Sequence, residues 1–410
     1  MKKQRILIIS HGHPDISKGG AEIAAFNLFN EYKNRGIDTL FLARSEDTAH
    51  GGSIFSSRNA SDQLLFHTAM HDWFNFRCVD ARHITHDFAQ LLESYKPTTV
   101  HFHHYAHMGL EMVCQVRHTC PEARILFTLH EYMAMCMNNG QMVKKGTNKL
   151  CYRAHPADCA KCLPDKSPGD FFLRERYIKS IFSLVDIFIS PSQFLADRYI
   201  EWGIPKDKLI VIENGQPKAE STAERKPAAE QNDLIRFAFF GQINPFKGVD
   251  VMLEAFNSLP KRIIKRVHLD IHGANLDYQE ENFKQRVLSL IDKLGNTVTL
   301  HGPYEPHEMP ALLMQTDWVI VPSIWWENSP MVIQEAFNHG RPILCSDIGG
   351  MKEKVKDGVT GVHFRVGNPA SLAQKITAIS EESTCINKYT KNISPAFDVQ
   401  SCANAHLGLE

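Results

Sequence analysis

The segment Val321-Pro-Ser-Ile-Trp-Trp-Glu-Asn-Ser-Pro-Met-Val-Ile-Gln-Glu-Ala-Phe337 carries the strongest structural and chemical signal in the chain. It follows an apolar strand, and Ser329 then Pro330 predict a helix start, with serine as the N-cap and proline in the first turn. The free N–H groups of such a turn favour an anion. Glu327 and Glu335 lie eight positions apart, so both carboxylates can reach one ligand. An ordinary helix cap with a surface glutamate is the alternative interpretation.

Apolar strands alternate with helical patterns on both sides of this segment, which is typical of a parallel α/β sheet. After the first strand, a glycine-containing loop leads into a helix predicted from about Ala21 to Arg35. The predicted strands are Arg5–Ser10, Thr39–Ala43, Thr99–Phe102, Arg124–Leu129, Asp186–Ser190, Leu209–Ile212, Ile235–Phe240, Val267–His272, Thr297–His301, Trp318–Val321, Pro342–Cys345 and Gly361–Phe364.

A polar segment with two prolines, residues 216–233, separates two such series and is predicted to be a linker. We therefore expect an N-terminal doubly wound domain over residues 1–215, with a cysteine-containing insertion at about 133–168. A C-terminal doubly wound domain is expected over residues 234–380. The C-terminal tail, residues 381–410, is expected to pack back on the N-terminal domain. Ligands of such sheets bind at the carboxyl ends of the strands, so two facing domains would hold the best pocket in the cleft between them.

Composition excludes several classes of protein. The 410 residues include 45 Lys and Arg and 46 Asp and Glu, for a net charge of −1, which argues against a nucleic-acid partner. The apolar run near the N-terminus is too short for a signal peptide, and no run reaches the roughly 18 residues of a membrane span. We expect a cytoplasmic protein with reduced cysteines. Peripheral contact with the inner face of the membrane stays open.

Two other strand-to-helix turns have a similar construction. Gly19 and Gly20 precede the first predicted helix, and Gly241 and Lys247 follow the first strand of the second series. Helix starts and a lysine suit phosphate groups. Neither the dinucleotide fingerprint G-x-G-x-x-G nor the P-loop pattern is present at these turns. A tight turn and a solvated lysine are the alternatives. Together the segments predict a ligand with a phosphate or diphosphate centre and hydroxyl-rich flanks.

In this order the segments resemble family 4 of the retaining glycosyltransferases (glycosyl transferases group 1), whose E-x7-E signature matches Glu327 and Glu335. The resemblance extends along nearly the whole chain. It implies an α/β protein of the GT-B fold, with two Rossmann-like doubly wound domains facing across a cleft. The other matching segments are Lys18-Gly-Gly-Ala-Glu22, Asn34-Arg-Gly-Ile-Asp38, Thr128-Leu-His130, Ile212-Glu-Asn-Gly215 and Gly358-Val-Thr-Gly361.

The resemblance also implies roles for single residues. Lys247 would hold the diphosphate of a UDP or GDP sugar, and Glu335 would bond the ribose hydroxyls. Glu327 would grip the transferred sugar, and His130 would lie near the sugar and the acceptor hydroxyl. The implied catalytic residues are Glu327, His130 and Lys247. The implied donor-binding residues are Gly19, Gly20, Gly241, Gln242, Lys247, Gly302, Asn328, Ser329, Pro330, Met331 and Glu335.

The implied reaction is hexosyl transfer with retention, without a catalytic metal or cofactor. The acceptor would be a saccharide or lipid-linked saccharide of cell-surface polysaccharide or glycoconjugate synthesis. No Asp-x-Asp occurs that could hold a metal-bound diphosphate. One position departs from the family, which commonly has arginine where this chain has Gln242. A sugar-nucleotide epimerase, a phosphorylase and a non-catalytic sugar-nucleotide-binding protein are the alternatives.

The cysteines and histidines of the first half are not explained by this reading. Cys159-Ala-Lys-Cys162 has a spacing common in metal sites, and structural zinc, free thiols and disulfides all stay open. Fourteen of the 21 histidines fall between His11 and His155. Those at the end of one strand could line an acceptor site, ligate a metal or fill a core. The residues concerned are Cys136, Cys151, Cys159 and Cys162 for the metal, and His103, His104 and His107 for the acceptor.

Overall fold

The computed structural model describes residues 4–17, 19–45, 54–78, 81–147, 149–218, 234–382 and 385–409. The chain forms two compact units. The first contains residues 1–217 together with 398–410, and the second contains residues 218–397. Of the predicted linker, residues 219–233 lie outside the described residues. The predicted tail is divided, because residues 381–397 belong to the second unit and only the last part returns to the first.

The first unit contains a largely parallel sheet with helices packed on it. Its strands are β1 (Arg5–Ser10), β2 (Asp38–Ser45), β3 (Phe55–Arg58), β4 (Ala60–His67), β5 (Met70–Asp72), β6 (Arg77–Cys78), β7 (Thr99–Phe102), β8 (Arg124–Thr128), β9 (Ile187–Ser190) and β10 (Leu209–Val211). Its helices are α1 (Gly20–Asn34), α2 (Ala81–Tyr95), α3 (Glu111–Thr119), α4 (Pro156–Cys162), α5 (Pro168–Phe182), α6 (Gln193–Trp202) and α15 (Val399–Leu407).

The main sheet of this unit has the strand order β10-β9-β8-β7-β1-β2-β4-β3. All neighbours are parallel except β3 and β4. The apolar run Ile6–Ile9 of β1 is fully buried, as expected for a strand covered on both faces. Helix α1 packs on it through Ala25, Leu28, Phe29 and Tyr32, which recur at helical spacing.

The second unit is a fully parallel sheet of the doubly wound type. Its strands are β11 (Ile235–Gln242), β12 (Val267–Ala274), β13 (Val298–Gly302), β14 (Trp318–Val321), β15 (Ile343–Ser346) and β16 (Gly361–Phe364). Its helices are α7 (Val249–Asn257), α8 (Lys261–Ile264), α9 (Glu281–Leu294), α10 (Met309–Met314), α11 (Met331–Asn338), α12 (Gly349–Lys354), α13 (Pro369–Glu381) and α14 (Cys385–Thr390).

The strand order of this sheet is β13-β12-β11-β14-β15-β16. Alternate residues of β11 pack into the hydrophobic cores on opposite faces of the sheet. Phe237 and Phe239 pack on one face, and Ala238 and Phe240 on the other. The order reverses between β11 and β14, so the two connections leave this point in opposite directions and open a crevice at the strand ends. The equivalent reversal in the first unit lies between β1 and β7.

Several elements were not predicted from the sequence. Strands β3 to β6 fall in a segment without clear apolar alternation, where β3 and β4 form an antiparallel hairpin at the sheet edge. The tail contains α14 and α15, although its sequence is polar. Helix α15 is held on α1 by hydrogen bonds from the Arg35 guanidinium to Asn404 Oδ1 (2.6 Å) and to the Gln400 carbonyl (2.9 Å). Such contacts between distant parts of a sequence leave no local pattern.

Candidate active site

Two loops meet at the reversal of strand order in the second unit. One follows β11 and carries Lys247, and the other follows β14 and carries Glu327. Their backbones are joined where Ile324 N–H donates to the Phe246 carbonyl at 2.8 Å. The sheet topology therefore brings together two residues that are 80 positions apart in the sequence.

The Lys247 loop is shaped by its own side chains. Asn244 Oδ1 accepts hydrogen bonds from the N–H groups of Phe246 (3.0 Å) and Lys247 (3.1 Å), which closes a short 3-10 turn. Gly248 then has a φ of 68°, and a Cβ there would strike the carbonyl oxygen of Pro322. Glycine is required at this position for both reasons. The turn fixes the direction in which the lysine leaves the sheet.

Glu327 is buried and ionised at the centre of this site. Its Oε1 accepts hydrogen bonds from Lys247 Nζ (2.6 Å), Ser323 Oγ (2.7 Å) and Trp325 Nε1 (2.8 Å). Burial acts to raise the pKa of Glu327, but the charge of Lys247 and these hydrogen bonds outweigh it and lower the pKa below its usual value. Among the described residues no hydrogen bond reaches Oε2. That oxygen can accept a ligand hydroxyl.

Lys247 keeps donors for a second partner. An ammonium group has three N–H donors, and one is used by Glu327. The side chain is 26% exposed, so its remaining donors can reach a ligand. The Trp325 ring lies under it, with Nζ 5.7 Å from the ring centroid. The carboxylate and the ring thus orient a cation that can contact an anionic ligand.

The helix start after Glu327 differs from the prediction. Helix α11 begins at Met331, Pro330 occupies the N-cap position, and no side chain caps the first turn. The predicted Ser329 cap is wrong, because Pro330 has an extended ψ of 115° and shifts the helix start by one residue. Ser329 Oγ is buried without a hydrogen-bond partner in the described part of the chain. Asn328 and Met331 flank it on the same turn.

The glycine pair at the start of α12, Gly349 and Gly350, supports this loop. The Gly350 N–H donates to the Glu327 carbonyl at 2.7 Å. A Cβ on Gly350 would overlap the Asn328 carbonyl oxygen, and one on Gly349 would come within 2.9 Å of the Glu327 oxygen. The start of α12 therefore packs on the loop backbone. Its Gly350 amide is used for this contact and not for an anion.

Glu335 lies one helical turn into α11 and is half-buried. Burial raises its pKa to about 7. Burial is the main cause that raises the pKa of the Tyr304 phenol, and the nearby Glu335 carboxylate raises it further. Tyr304 belongs to an aromatic cluster in which the ring centroids of Phe240 and His272 are 5.0 Å apart and those of His272 and His301 are 4.3 Å apart. Glu335 therefore borders a wall of flat side chains at the ends of β11, β12 and β13.

The other donor-binding candidates of this unit have no charge. Gln242 is exposed at the end of β11. Gly241 before it has a φ of 145°, and Gly302 at the end of β13 has a φ of 85°. No atom lies within 4 Å of the position that a Cβ would take at Gly302, so the backbone there is open. Lys247 is thus the cation that the structure places beside Glu327.

The glycine turn of the first unit already carries a carboxylate. Gly19 is the N-cap of α1, Gly20 is its first residue, and Lys18 lies outside the described residues. The Glu22 carboxylate folds back onto Gly19, where a Cβ would overlap it. Its Oε1 accepts a hydrogen bond from Ser17 Oγ at 2.6 Å. A negative charge thus lies at the helix start where an anionic ligand was expected.

The candidate histidines of the first unit form two adjoining groups. His103 Nδ1 lies 3.0 Å from His130 Nε2, which joins the ends of β7 and β8. The His104 ring lies against His11, with centroids 4.1 Å apart, and the His107 ring lies tilted against Trp73, with centroids 4.8 Å apart. Burial lowers the pKa of His103 and His104 well below 6.5 and that of His130 to about 3. The rings of His103, His104 and His130 are therefore neutral at physiological pH.

The four candidate metal ligands lie together in the insertion between β8 and α5. Cys136, Cys151, Cys159 and Cys162 line one pocket and are free thiols. They are far in sequence from the Lys247 site and belong to the other unit. Within the described ranges, no set of three or more His, Cys, Asp or Glu side chains stands ready to hold a metal ion.

Sequence reasoning missed part of the site in the second unit. Ser323 and Tyr304 were not singled out, and Trp325 could not be distinguished from a core residue. Ser323 and Trp325 bond Glu327, and Tyr304 contacts the Glu335 environment. One available signal was position, because all three follow directly after predicted strands of one sheet.

In the described residues, no helix is long and apolar enough to cross a membrane.

Comparisons with known proteins identify the family. Residues 18–217 match Glycosyltransferase Family 4, and residues 220–395 match Glycosyl transferases group 1. The lipopolysaccharide 1,2-N-acetylglucosaminetransferase of Salmonella typhimurium is 30% identical over 186 residues, which is 43% of this chain and 48% of that protein. The D-inositol 3-phosphate glycosyltransferase of Nocardia farcinica is 26% identical over 56% of this chain and 53% of its own length. The chain thus spans about half the length of these curated relatives.

Solved structures share the fold over the whole chain. Anabaena HepE in complex with UDP has a TM-score of 0.70 at 17% identity, covering 99% of both chains. The sucrose-phosphate synthase of Thermosynechococcus elongatus has a TM-score of 0.73 at 16% identity, covering 99% of this chain and 98% of that one. The two family matches follow one another along nearly the whole sequence, and each falls on one Rossmann-like unit. The chain belongs to the family 4 glycosyltransferases, glycosyl transferases group 1, and has their GT-B fold.

Proposed function

We propose that the protein is a retaining hexosyltransferase that moves a sugar from a UDP or GDP sugar to a saccharide or lipid-linked saccharide. The donor binds at the carboxyl ends of β11 and β14 in the second unit. Lys247 contacts the diphosphate, Glu335 accepts hydrogen bonds from the ribose hydroxyls, and Glu327 binds the transferred sugar. The product belongs to a cell-surface polysaccharide or glycoconjugate, made on the cytoplasmic side of the membrane.

The Lys247–Glu327 pair is the observation that carries this proposal. Breaking the bond from a sugar to a diphosphate places negative charge on the leaving oxygen, and an oriented cation beside it stabilises that charge. Glu327 fixes the ammonium group at 2.6 Å and still offers Oε2 to a sugar hydroxyl. A glycosidase would need two carboxylates on either side of one glycosidic bond. Here one carboxylate is engaged by the lysine and the other is half-buried on α11.

The reaction is proposed to need no catalytic metal. The chain has no Asp-x-Asp sequence, so a metal-bound diphosphate has no carboxylate pair of that kind to hold it. Lys247 and the loop amides after Glu327 would supply the positive potential instead. Retention would follow if the acceptor attacks from the side on which the diphosphate leaves, with the diphosphate accepting the proton.

The relatives support a sugar-nucleotide donor and a saccharide acceptor. One is named as a lipopolysaccharide N-acetylglucosaminetransferase, and one shares its fold in a complex with UDP and glucose. In the first unit, His103, His104, His107 and His130 would line the acceptor side, and the neutral rings of His103, His104 and His130 suit hydroxyl groups.

A non-catalytic sugar-nucleotide-binding protein is the second candidate. Two observations favour it: Gln242 brings no charge to the diphosphate, and the Glu22 carboxylate occupies the helix start beside Gly19. Such a protein would bind the donor and release no product. The two candidates therefore differ in turnover and not in affinity.

A panel of UDP and GDP sugars, each incubated with the protein and a mixture of saccharide and lipid-linked acceptors, tests the proposal. We expect release of UDP or GDP from at least one donor and a roughly hundredfold slower rate in Glu327→Gln. The Glu353→Gln variant, whose side chain is on the exposed side of α12, is the matched control and should retain the wild-type rate. Donor binding without any turnover would favour the second candidate, and no binding to any donor would refute both.

A further inference from the structure

The insertion between β8 and α5 has little regular structure of its own. The described residues there form the short helix α4 and one isolated bridge, Val143 to Leu150. Irregular segments of this length in a compact domain need a cross-link or a function to remain ordered. Four cysteines converge here on a pocket of about 40 Å³, which is large enough for an ion.

The four sulfur atoms have mixed surroundings: Cys151 Sγ donates to the Arg153 carbonyl at 3.3 Å, and burial raises the pKa of Cys159. The Lys145 N–H donates to Cys162 Sγ at 3.2 Å. Burial raises the pKa of Cys136 to about 11, but the backbone N–H groups of Asn138 and Met142 act against it. Amide donors directed at sulfur stabilise a metal-bound thiolate in the second coordination shell. Cys159 and Cys162 share α4 and are three positions apart, so one helical turn presents both to the pocket.

A buried cation beside this pocket lacks an ion-pair partner. The Arg174 side chain is 3% exposed, and its nitrogens donate only to the carbonyls of Phe74, Met133 and Ala134, each at 2.6 Å. In the described part of the chain no carboxylate lies within 4.0 Å of this guanidinium. Burial lowers the pKa of Arg174, while negative charge on Tyr105, Cys136, Glu131 or Cys159 would raise it. A buried charge without a counter-ion is costly.

We propose that Cys136, Cys151, Cys159 and Cys162 bind one structural zinc ion as thiolates. Zinc with four thiolates carries a net charge of minus two, which would add a counter-charge for Arg174 to that of the neighbouring Glu131 carboxyl. The sulfurs do not yet form a closed set of ligands anywhere in the described ranges, so the ion must draw them together. Each Zn–S bond forms as one thiol releases its proton to solvent, without any change of oxidation state.

The site would fasten the segment that follows His130. This segment runs from the end of β8 to the N-cap of α5 at Ser167, and Tyr199 holds its beginning by donating to the Glu131 carbonyl at 2.8 Å. The zinc would hold its middle, because the cysteines come from both sides of the Val143 bridge. The proposal concerns this segment only and is independent of the donor reaction.

Elemental analysis of protein purified without chelator or added metal tests the site. We expect about one zinc per chain, falling several-fold in Cys159→Ser and in Cys162→Ser. Cys114→Ser is the matched control, because this cysteine is exposed on α3 and outside the pocket, and its zinc content should equal that of the wild type.

A second measurement covers variants that fail to fold. Wild-type protein loaded with cobalt(II) should show the intense visible bands of a tetrahedral thiolate site, and a mercurial reagent should release the metal as four thiols react. Zinc-free protein whose four thiols all react freely would overturn the proposal. So would a mass shift after alkylation without reductant that shows disulfides among these cysteines.

Discussion

The role proposed for Glu335 depends on the ionisation of one half-buried side chain. Burial raises its pKa to about 7, so near neutral pH the carboxyl group is partly protonated. A ribose diol donates hydrogen bonds, and a carboxylate accepts them better than a carboxylic acid does. Donor binding should therefore favour the ionised form of Glu335 and should become tighter as the pH rises.

We predict that UDP or GDP affinity increases several-fold between pH 6 and pH 8. The increase reflects deprotonation of Glu335 through its pKa of about 7. Titration calorimetry across this range measures it, corrected for the ionisation of the nucleotide phosphate. The Glu335→Gln variant should bind weakly with a flat profile. A pH dependence that is the same in the wild type and the variant would remove Glu335 from the site.

Single residues show what the sequence could and could not predict. Glu327, Lys247 and Glu335 were identified as candidates because carboxylate and lysine are chemically distinct and follow strands. The Ser329 cap was wrong, because the ψ of Pro330 depends on packing that no local pattern reveals. The Glu22 carboxylate at Gly19 was missed for a similar reason, since its direction is set by Ser17 and His11.

Among the elements of the second unit, the start of α12 has a supporting role. Gly349 and Gly350 let its backbone pack on the loop of Glu327 and Asn328. This packing holds the loop in place beside Lys247, on the other side of the point where the strand order reverses. The glycine pair thus supports the neighbouring loop.

We predict that Gly350→Ala disturbs the donor site more than it disturbs the sheet. The added Cβ would overlap the Asn328 carbonyl oxygen, so the loop must move away from α12. Donor affinity should fall tenfold or more, with a stability loss of about 1–3 kcal/mol from overpacking. Gly169→Ala is the matched control, because its nearest neighbour is Ser167 Oγ at 3.5 Å. Unchanged affinity in Gly350→Ala would show that α12 does not position the loop.

The strand ends of the first unit bury a set of neutral histidines. Burial lowers the pKa of His101, His103 and His104 well below 6.5, and that of His130 to about 3. In the unfolded chain these rings would titrate near 6.5, so the unfolded state binds more protons below that pH. The contribution of these histidines to the free energy of unfolding is therefore fully present above about pH 6.5. It is lost as the pH falls towards the folded-state pKa values.

We predict that the melting temperature of the first unit decreases between pH 6.5 and pH 4 by more than that of the second. Calorimetry or circular dichroism at several pH values measures the two transitions. Replacing His101 by Gln should reduce the slope, because one buried group then no longer titrates. If both units lose stability equally, the buried histidines are not the cause.

The whole chain is built so that its last helix completes the first unit. Helix α15 packs on α1, and Gly215 lies against Val399 and Cys402 so closely that a Cβ would come within 2.6 Å of the Val399 backbone. The sequence predicted two α/β units correctly in kind, because alternating strands and helices are a local pattern. It could not place the exact point where the chain returns, since that depends on contacts between residues several hundred positions apart.

We predict that truncation after Phe397 destabilises the first unit and leaves the second unchanged. The deletion exposes the buried face of α1 and removes Cys402, Ala403 and His406 from the core. The melting temperature of the first unit should fall by about 5 °C or more. Removing only Leu409 and Glu410 is the control and should have little effect. Equal loss in both units would mean that α15 stabilises more than the unit it belongs to.

Titration of the best UDP or GDP donor into the wild type and Lys247→Ala is the most direct test of the donor site in the second unit. Removing the ammonium group should cost about 1.5–3 kcal/mol of binding free energy, a tenfold or greater loss of affinity. Lys261→Ala, an exposed lysine on α8 of the same unit, is the matched control and should bind as the wild type does. Equal affinity in the wild type and Lys247→Ala would contradict the assignment of the diphosphate to this site.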